Sequence, residues 1–232
     1  MRKVKDDYEK IAVEFSATRQ SLWEDLNGLG QYVKDGDAVL DLGCGNGRLY
    51  ELFKGKAINY RGIDNCKPLI EKAQEKYAPA IGRSDERTSG GANFTVGDIL
   101  DLPFAKNQFD AVFCIAVLHH LPSAELRRKV LADAKKSLKE GGLLILTVWN
   151  LYQKKYWRYF FDISLPFGEI GSHRYDSWKD ILIPWKLKSG GKIWRYYHAF
   201  TRGELRRLVA KAGFQILKSD SSRHNFILVL RK

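Results

Sequence analysis

Between Val39 and Arg48 the sequence reads VLDLGCGNGR, with glycines at 43, 45 and 47 and an aspartate at 41. Glycines let a backbone turn tightly and come close to a ligand. Two nucleotide-type ligands suit such a turn. A dinucleotide needs Gly-x-Gly-x-x-Gly, with its pyrophosphate on the N-terminus of the next helix. Here the spacing is Gly-x-Gly-x-Gly, and Asp41 would repel a pyrophosphate. The same carboxylate suits a ligand with an ammonium and a sulfonium, which favours S-adenosylmethionine over a nicotinamide dinucleotide. Asp64, in Gly62-Ile63-Asp64-Asn65, stands where a carboxylate can accept both ribose hydroxyls. Asp98, in Gly97-Asp98-Ile99, adds a polar acceptor where an adenine amino group would lie. One such aspartate could be a solvated strand end. Three at successive strand ends point to a ligand.

Those positions require an alternation of strands and helices. Helical spacing of Tyr8, Ile11, Ala12, Phe15, Leu22 and Leu26 predicts a helix over 6–27. Strands are expected at 38–42, 58–63, 93–96, 109–115 and 143–149, and helices at 46–53, 68–77 and 124–138, the last stopped by Gly141-Gly142. The polar stretch 79–92 reads as a surface loop. Thr201, with Glu204 three residues on, caps a helix over 201–212, and 214–218 with 225–230 form an antiparallel pair. Near-continuous apolar strands alternating with helices imply an α/β, Rossmann-like doubly wound sheet, whose ligands gather at the carboxyl ends of the strands. Residues 150–200 are too long for an ordinary connection and read as an insertion over that edge, within one domain covering 1–232.

Charge sets the insertion and tail apart. The 232 residues carry a formal +12, but residues 1–150 hold a net +1 and residues 151–232 a net +11. Positions 149–200 contain 15 of the 29 aromatic residues, interspersed with Lys154, Lys155, Arg158, Arg174, Lys179, Lys186, Lys188, Lys192 and Arg195. A polyanionic partner is expected, either nucleic acid or an acidic membrane surface. The longest apolar runs are far short of the roughly 20 residues of a membrane span. The charged N-terminus lacks a signal core, and three scattered cysteines suit neither a disulfide framework nor a zinc site. A cytoplasmic protein without a metal is expected.

In the order DLGCGNG, GID, GDILDLPF and FDAVFCIAVLHHLP, residues 36–149 resemble the class I S-adenosylmethionine-dependent methyltransferases. The resemblance implies a seven-stranded sheet with a reversed last strand. It also implies cofactor contacts at Asp41, Gly43, Cys44, Gly45, Asp64, Asn65, Asp98, Ile99 and Ala116. Four flanking stretches, YEKIAVEFSATRQSLW (8–23), IAVLHH (115–120), DILIPW (180–185) and RYYHAFTRGEL (195–205), resemble the tRNA wobble-uridine methyltransferases that esterify 5-carboxymethyluridine. That similarity implies tRNA, through its anticodon loop, as partner, and a small activator subunit as a second. Only residues 186–194 separate the PW and RYYH stretches, where eukaryotic relatives carry a long basic segment.

A carboxylate acceptor is already ionised at neutral pH, its reference pKa being about 4. The protein then has to orient it and exclude water, without a general base. Arginine orients a carboxylate through a planar fork. Arg19 and Arg195 are the candidates, with His120 and His198 as hydrogen-bonding partners and Trp149 as a base platform or pocket wall. Tyr8 reads as packing. The alternative is a small-molecule O- or C-methyltransferase, for which an aromatic lid over a flat substrate would serve equally well.

Overall fold

The computed structural model describes residues 2–77, 91–161 and 177–232. Its main sheet has seven strands in the order β3-β2-β1-β4-β5-β9-β8. They are β1 (Ala38–Leu42), β2 (Asn59–Asp64), β3 (Ala92–Val96), β4 (Phe109–Ile115), β5 (Leu138–Trp149), β8 (Gln215–Ser221) and β9 (Asn225–Arg231). The pairs β1–β2, β1–β4, β2–β3 and β4–β5 are parallel, whereas β9 runs antiparallel to both β5 and β8. The last strand is therefore the reversed one, as the resemblance implied.

Strand alternation covers both faces of the sheet. Leu40, Leu42, Val112, Cys114, Leu144 and Leu146 point into one core with Val130, Leu131 and Ala134 of α3 (Ala124–Ser137) and with Leu205 and Val209 of α5 (Arg202–Lys211). Val39, Ala111, Phe113 and Ile145 point the other way, against Leu26, Leu29, Phe53 and α2 (Lys67–Tyr77). Successive residues of a strand face opposite sides, so these unbroken apolar runs need both layers.

Three elements differ from the sequence expectation. The helix expected over 6–27 is α1 (Arg2–Ala17), followed by a separate 3₁₀ segment, Glu24–Tyr32. The Asn46 side-chain amide donates to Ser16 Oγ at 3.1 Å and to the Arg19 carbonyl at 3.2 Å, turning the chain over the glycine loop. The helix expected after that loop is a short 3₁₀ segment, Arg48–Phe53. The insertion holds α4 (Lys154–Trp157) and an antiparallel hairpin, β6 (Asp180–Lys186) with β7 (Lys192–His198), closed at Gly190-Gly191 where both φ angles are positive. Most of the expected 79–92 loop, and Arg174, lie outside the described residues.

Candidate active site

The sheet order reverses between β1 and β4, and a cleft opens at the carboxyl ends of the strands there, as expected for doubly wound folds. Asp41, Gly43, Cys44, Gly45, Asp64, Asn65, Ile99, Ala116, His120, Trp149 and Arg19 all line it. Asp98 is not among the lining residues; its Oδ1 accepts the Leu100 backbone N–H at 2.9 Å.

The glycine loop is tied to β2 rather than free. The backbone N–H groups of Gly43 and Cys44 donate to the Ile63 carbonyl at 2.8 and 3.1 Å, and that of Gly45 donates to Asp64 Oδ2 at 2.9 Å. No amide of the three is left for a pyrophosphate, and the segment that follows is a 3₁₀ turn rather than an α-helix N-terminus. This geometry disfavours a dinucleotide. A Cβ on Gly43, whose φ is +71°, would sit 2.5 Å from Val117, so only glycine closes the loop this tightly. Ala116 also has a positive φ, 58°, and its N–H donates to the Thr147 hydroxyl at 3.0 Å. A non-glycine residue held there stores roughly 1–3 kcal/mol, a strain that clusters at ligand sites.

Two carboxylates face the cleft. Asp41 is buried and accepts the Tyr60 hydroxyl at 2.6 Å; burial pushes its pKa up to about 7. Asp64 accepts N–H groups from Gly45 and Cys66, and burial raises its pKa too.

Around Trp149 the rings form one cluster. Trp149 stacks on Tyr197 with centroids 5.1 Å apart, and meets Trp23 edge-on at 6.1 Å. His119 is fully buried, its Nδ1 accepting the Trp149 backbone N–H at 3.2 Å, and it stacks on Tyr197. His120 lies between the Tyr196 carbonyl, 3.1 Å from Nδ1, and the Tyr8 hydroxyl, 3.0 Å from Nε2. A carbonyl can only accept, so Nδ1 carries the proton and Tyr8 donates to Nε2. Burial, with the charge of Arg195 adding to it, lowers the His120 pKa to about 3. His120 is thus a neutral imidazole, and Tyr8 is more than packing.

Arg195 sits behind Tyr8, 5% exposed, with Nη1 3.5 Å from the Tyr8 hydroxyl. Its guanidinium lies over the rings of Trp185 at 5.0 Å and Tyr197 at 5.3 Å. Arg19 lies over Phe15, and burial lowers its pKa, with the Arg195 charge acting in the same direction. Neither arginine forms an ion pair among the described residues, and the Nε of each is buried without a hydrogen-bond partner. Arg48 on the same cleft also forms no ion pair among the described residues; it covers the Trp23 ring at 4.3 Å, and burial lowers its pKa to about 10. The sequence offered one sign of Arg48, its place directly after the third glycine.

His198 is not in the cleft, contrary to expectation. Its Nδ1 is 2.6 Å from Asp180 and its Nε2 2.8 Å from Glu204, so both ring nitrogens are engaged. The same Asp180 oxygen accepts the Tyr196 hydroxyl at 2.7 Å, and Arg127 stands 3.8 Å away. His198 therefore pins the hairpin to α3 and α5 in a buried polar network.

Residues 40–146 match the methyltransferase domain family. Over 97% of the chain the sequence is 31% identical to a protein of Encephalitozoon cuniculi that carries a methyltransferase name, covering 93% of that protein. It is 28% identical to the tRNA (carboxymethyluridine(34)-5-O)-methyltransferase of Schizosaccharomyces pombe, over 97% of this chain and 94% of that one. Among solved structures, an S-adenosylmethionine-dependent methyltransferase of Methanosarcina mazei superposes with a TM-score of 0.71 at 24% identity, over 91% of this chain and 98% of that one. The methyltransferase bound to the Haloferax volcanii Trm112 activator shares the fold, with a TM-score of 0.60 at 18% identity over 98% and 96% of the two chains. The chain belongs to the methyltransferases, and it shares its fold with the solved S-adenosylmethionine-dependent members.

The residues present fit that cofactor. A glycine cradle that a Cβ would fill and two carboxylates suit a ligand with a cationic end and a ribose. Because the Asp41 pKa is about 7, a cation beside it favours the ionised form and expels a proton below that pH. Cofactor affinity is expected to weaken from pH 8 to pH 6, with proton uptake or release read by calorimetry in two buffers of different ionisation enthalpy. An affinity flat across that range would remove Asp41 from the cationic end.

Among the described residues, no helix is long and apolar enough to cross a membrane.

Proposed function

We propose that the chain methylates the carboxylate of 5-carboxymethyluridine at the wobble position of tRNA, forming the methyl ester. The observation that carries this is the pair Arg19 and Arg195. Arg19 lines the cleft and Arg195 stands behind Tyr8, which lines it too; the Nε of each is buried without a partner, and among the described residues neither guanidinium forms an ion pair. A buried cation without a counter-ion is costly, and an anionic acceptor would remove that cost. The S. pombe relative acts on that carboxymethyluridine by its name, and residues 151–232, at net +11, suit a polyanionic substrate.

In this reading the cofactor supplies an electrophilic methyl on sulfur. Asp41 and Asp64 hold its cationic end and its ribose. Arg195 and Arg19 aim the carboxylate, and Tyr8 steadies Arg195 from the His120 side. Trp149, backed by Tyr197, walls the cleft against water and the uracil ring. His120, with its pKa near 3, takes no proton at neutral pH, which suits an acceptor that has none to lose. A phenol acceptor would need a better base, so the acceptor side favours the carboxylate over that small-molecule alternative. A small activator subunit belongs to the same reading, supported by the fold shared with the activator-bound H. volcanii chain.

The test is acceptor charge. With tRNA bearing the 5-carboxymethyl group, labelled methyl is expected to enter in a form released by mild alkali, as an ester is. With the neutral 5-carbamoylmethyl analogue no label is expected. Equal labelling of both would sink the carboxylate assignment.

A further inference from the structure

The aromatic residues of the insertion divide into two sets. Tyr156, Tyr159 and Phe160 pack with Trp149 around Leu151, Ile181, Ile183 and Tyr197, forming a small core of their own. Trp157, Phe161 and Trp178 do not join it; they are 54%, 80% and 70% exposed. Tyr152 bridges the sets, stacked on Phe160 at 5.6 Å and 22°, and Phe160 meets Trp178 at 6.2 Å. Lys154 and Trp157 stand three residues apart on α4, which puts a cation beside an exposed ring on one side of that short helix. Lys155 and Arg158 cover neighbouring tyrosines, and residues 149–161 contain no carboxylate.

Large rings turned to solvent gain nothing in a chain that stays alone, and a patch of them marks an interaction surface. The cations beside these rings select an anionic partner. Flat faces select one that stacks. Unpaired nucleotides offer both, and base–aromatic stacking tolerates any base. The surface begins three residues after Trp149, which lines the cleft.

We propose that Tyr152, Trp157, Phe161 and Trp178, with Lys154 and Arg158, form a stacking platform for the unpaired nucleotides that flank the one entering the cleft. The proposal rests on the RNA reading above and adds to it the surface that holds the loop open. The uridine in the cleft and its neighbours on the platform would then be separated by the wall of Trp149.

The experiment titrates the whole protein with oligouridylate and with tRNA, following tryptophan fluorescence. Wild type is expected to be quenched. The double variant Trp157→Ala/Trp178→Ala is expected to bind oligouridylate at least about tenfold more weakly, since each stacked base is worth a several-fold to hundredfold effect. The variant Trp157→Phe/Trp178→Phe, which keeps the rings, is expected to restore binding, and Lys154→Glu to lower the salt slope by about 0.7. The cofactor dissociation constant, unchanged in all of them, certifies the fold. A double alanine variant that binds oligouridylate as tightly as wild type overturns the platform. If that wild type still esterifies tRNA, the platform alone has failed; if wild type neither binds nor esterifies tRNA, the RNA reading falls and takes the platform with it.

Discussion

Arg195→Lys is expected to lower the turnover number about 100-fold, because losing the orientation of a reacting group costs on that order. Lysine keeps the charge but not the planar fork, so the substitution separates aiming from attraction. The native guanidinium is sandwiched by Trp185 and Tyr197 and touches the Tyr8 hydroxyl, leaving Nε without a partner. An ammonium on a flexible stem would not present two parallel donors to a carboxylate there. The dissociation constants for cofactor and for tRNA should stay within about twofold, since one contact among many phosphate contacts is touched. Single-turnover rates at saturating tRNA, beside a thermal unfolding curve, make the measurement. Unchanged turnover with weakened tRNA binding would assign Arg195 to the electrostatic face instead.

Asp64→Ala should act on the other ligand. Charge-assisted hydrogen bonds are worth about 1.5–3 kcal/mol each, so losing a bidentate contact to a ribose is expected to weaken cofactor binding by about 100-fold or more. The carboxylate also accepts the N–H groups of Gly45 and Cys66 and so shapes the loop itself. Asp64→Asn keeps one acceptor oxygen and the side-chain volume, and should fall between wild type and alanine. Affinity for tRNA is expected to hold, because the basic excess lies in residues 151–232. Parallel loss of both affinities would contradict the division of the site into a cofactor half and an acceptor half.

The cofactor half was legible in the sequence because its parts are local. Asp41 and Asp64 stand within the last two residues of β1 and β2, Gly43 and Gly45 lie in the turn after β1, and parallel pairing brings Asp41 beside Gly62 and Leu42 beside Ile63. The acceptor half is assembled across long separations, and a linear motif misleads there. RYYH looks like one cluster, yet it lies on a strand, where neighbours face opposite ways. Arg195 and Tyr197 therefore face Tyr8 and the two histidines, whereas Tyr196 and His198 face Asp180 and Arg127.

Tyr8 was hidden for a similar reason. On α1 it occupies the same apolar stripe as Ile11, Ala12 and Phe15, and periodicity alone does not separate a packing ring from one whose hydroxyl reaches His120 across 112 positions. The hairpin itself escaped because DILIPWK is broken by a proline and KIWRYYH is rich in aromatic and basic residues, which read as texture rather than as alternation. The paired glycines at 190 and 191 were the available turn signal.

Mass-spectrometric analysis of nucleosides tests the central claim most directly. A tRNA carrying 5-carboxymethyluridine at the wobble position would be incubated with the protein and S-adenosylmethionine, together with any activator subunit it requires, then digested. The account predicts that 5-carboxymethyluridine disappears and its methyl ester appears in equal amount. Methylation at any other nucleotide, or an unchanged wobble uridine under conditions where the cofactor is bound, would contradict it.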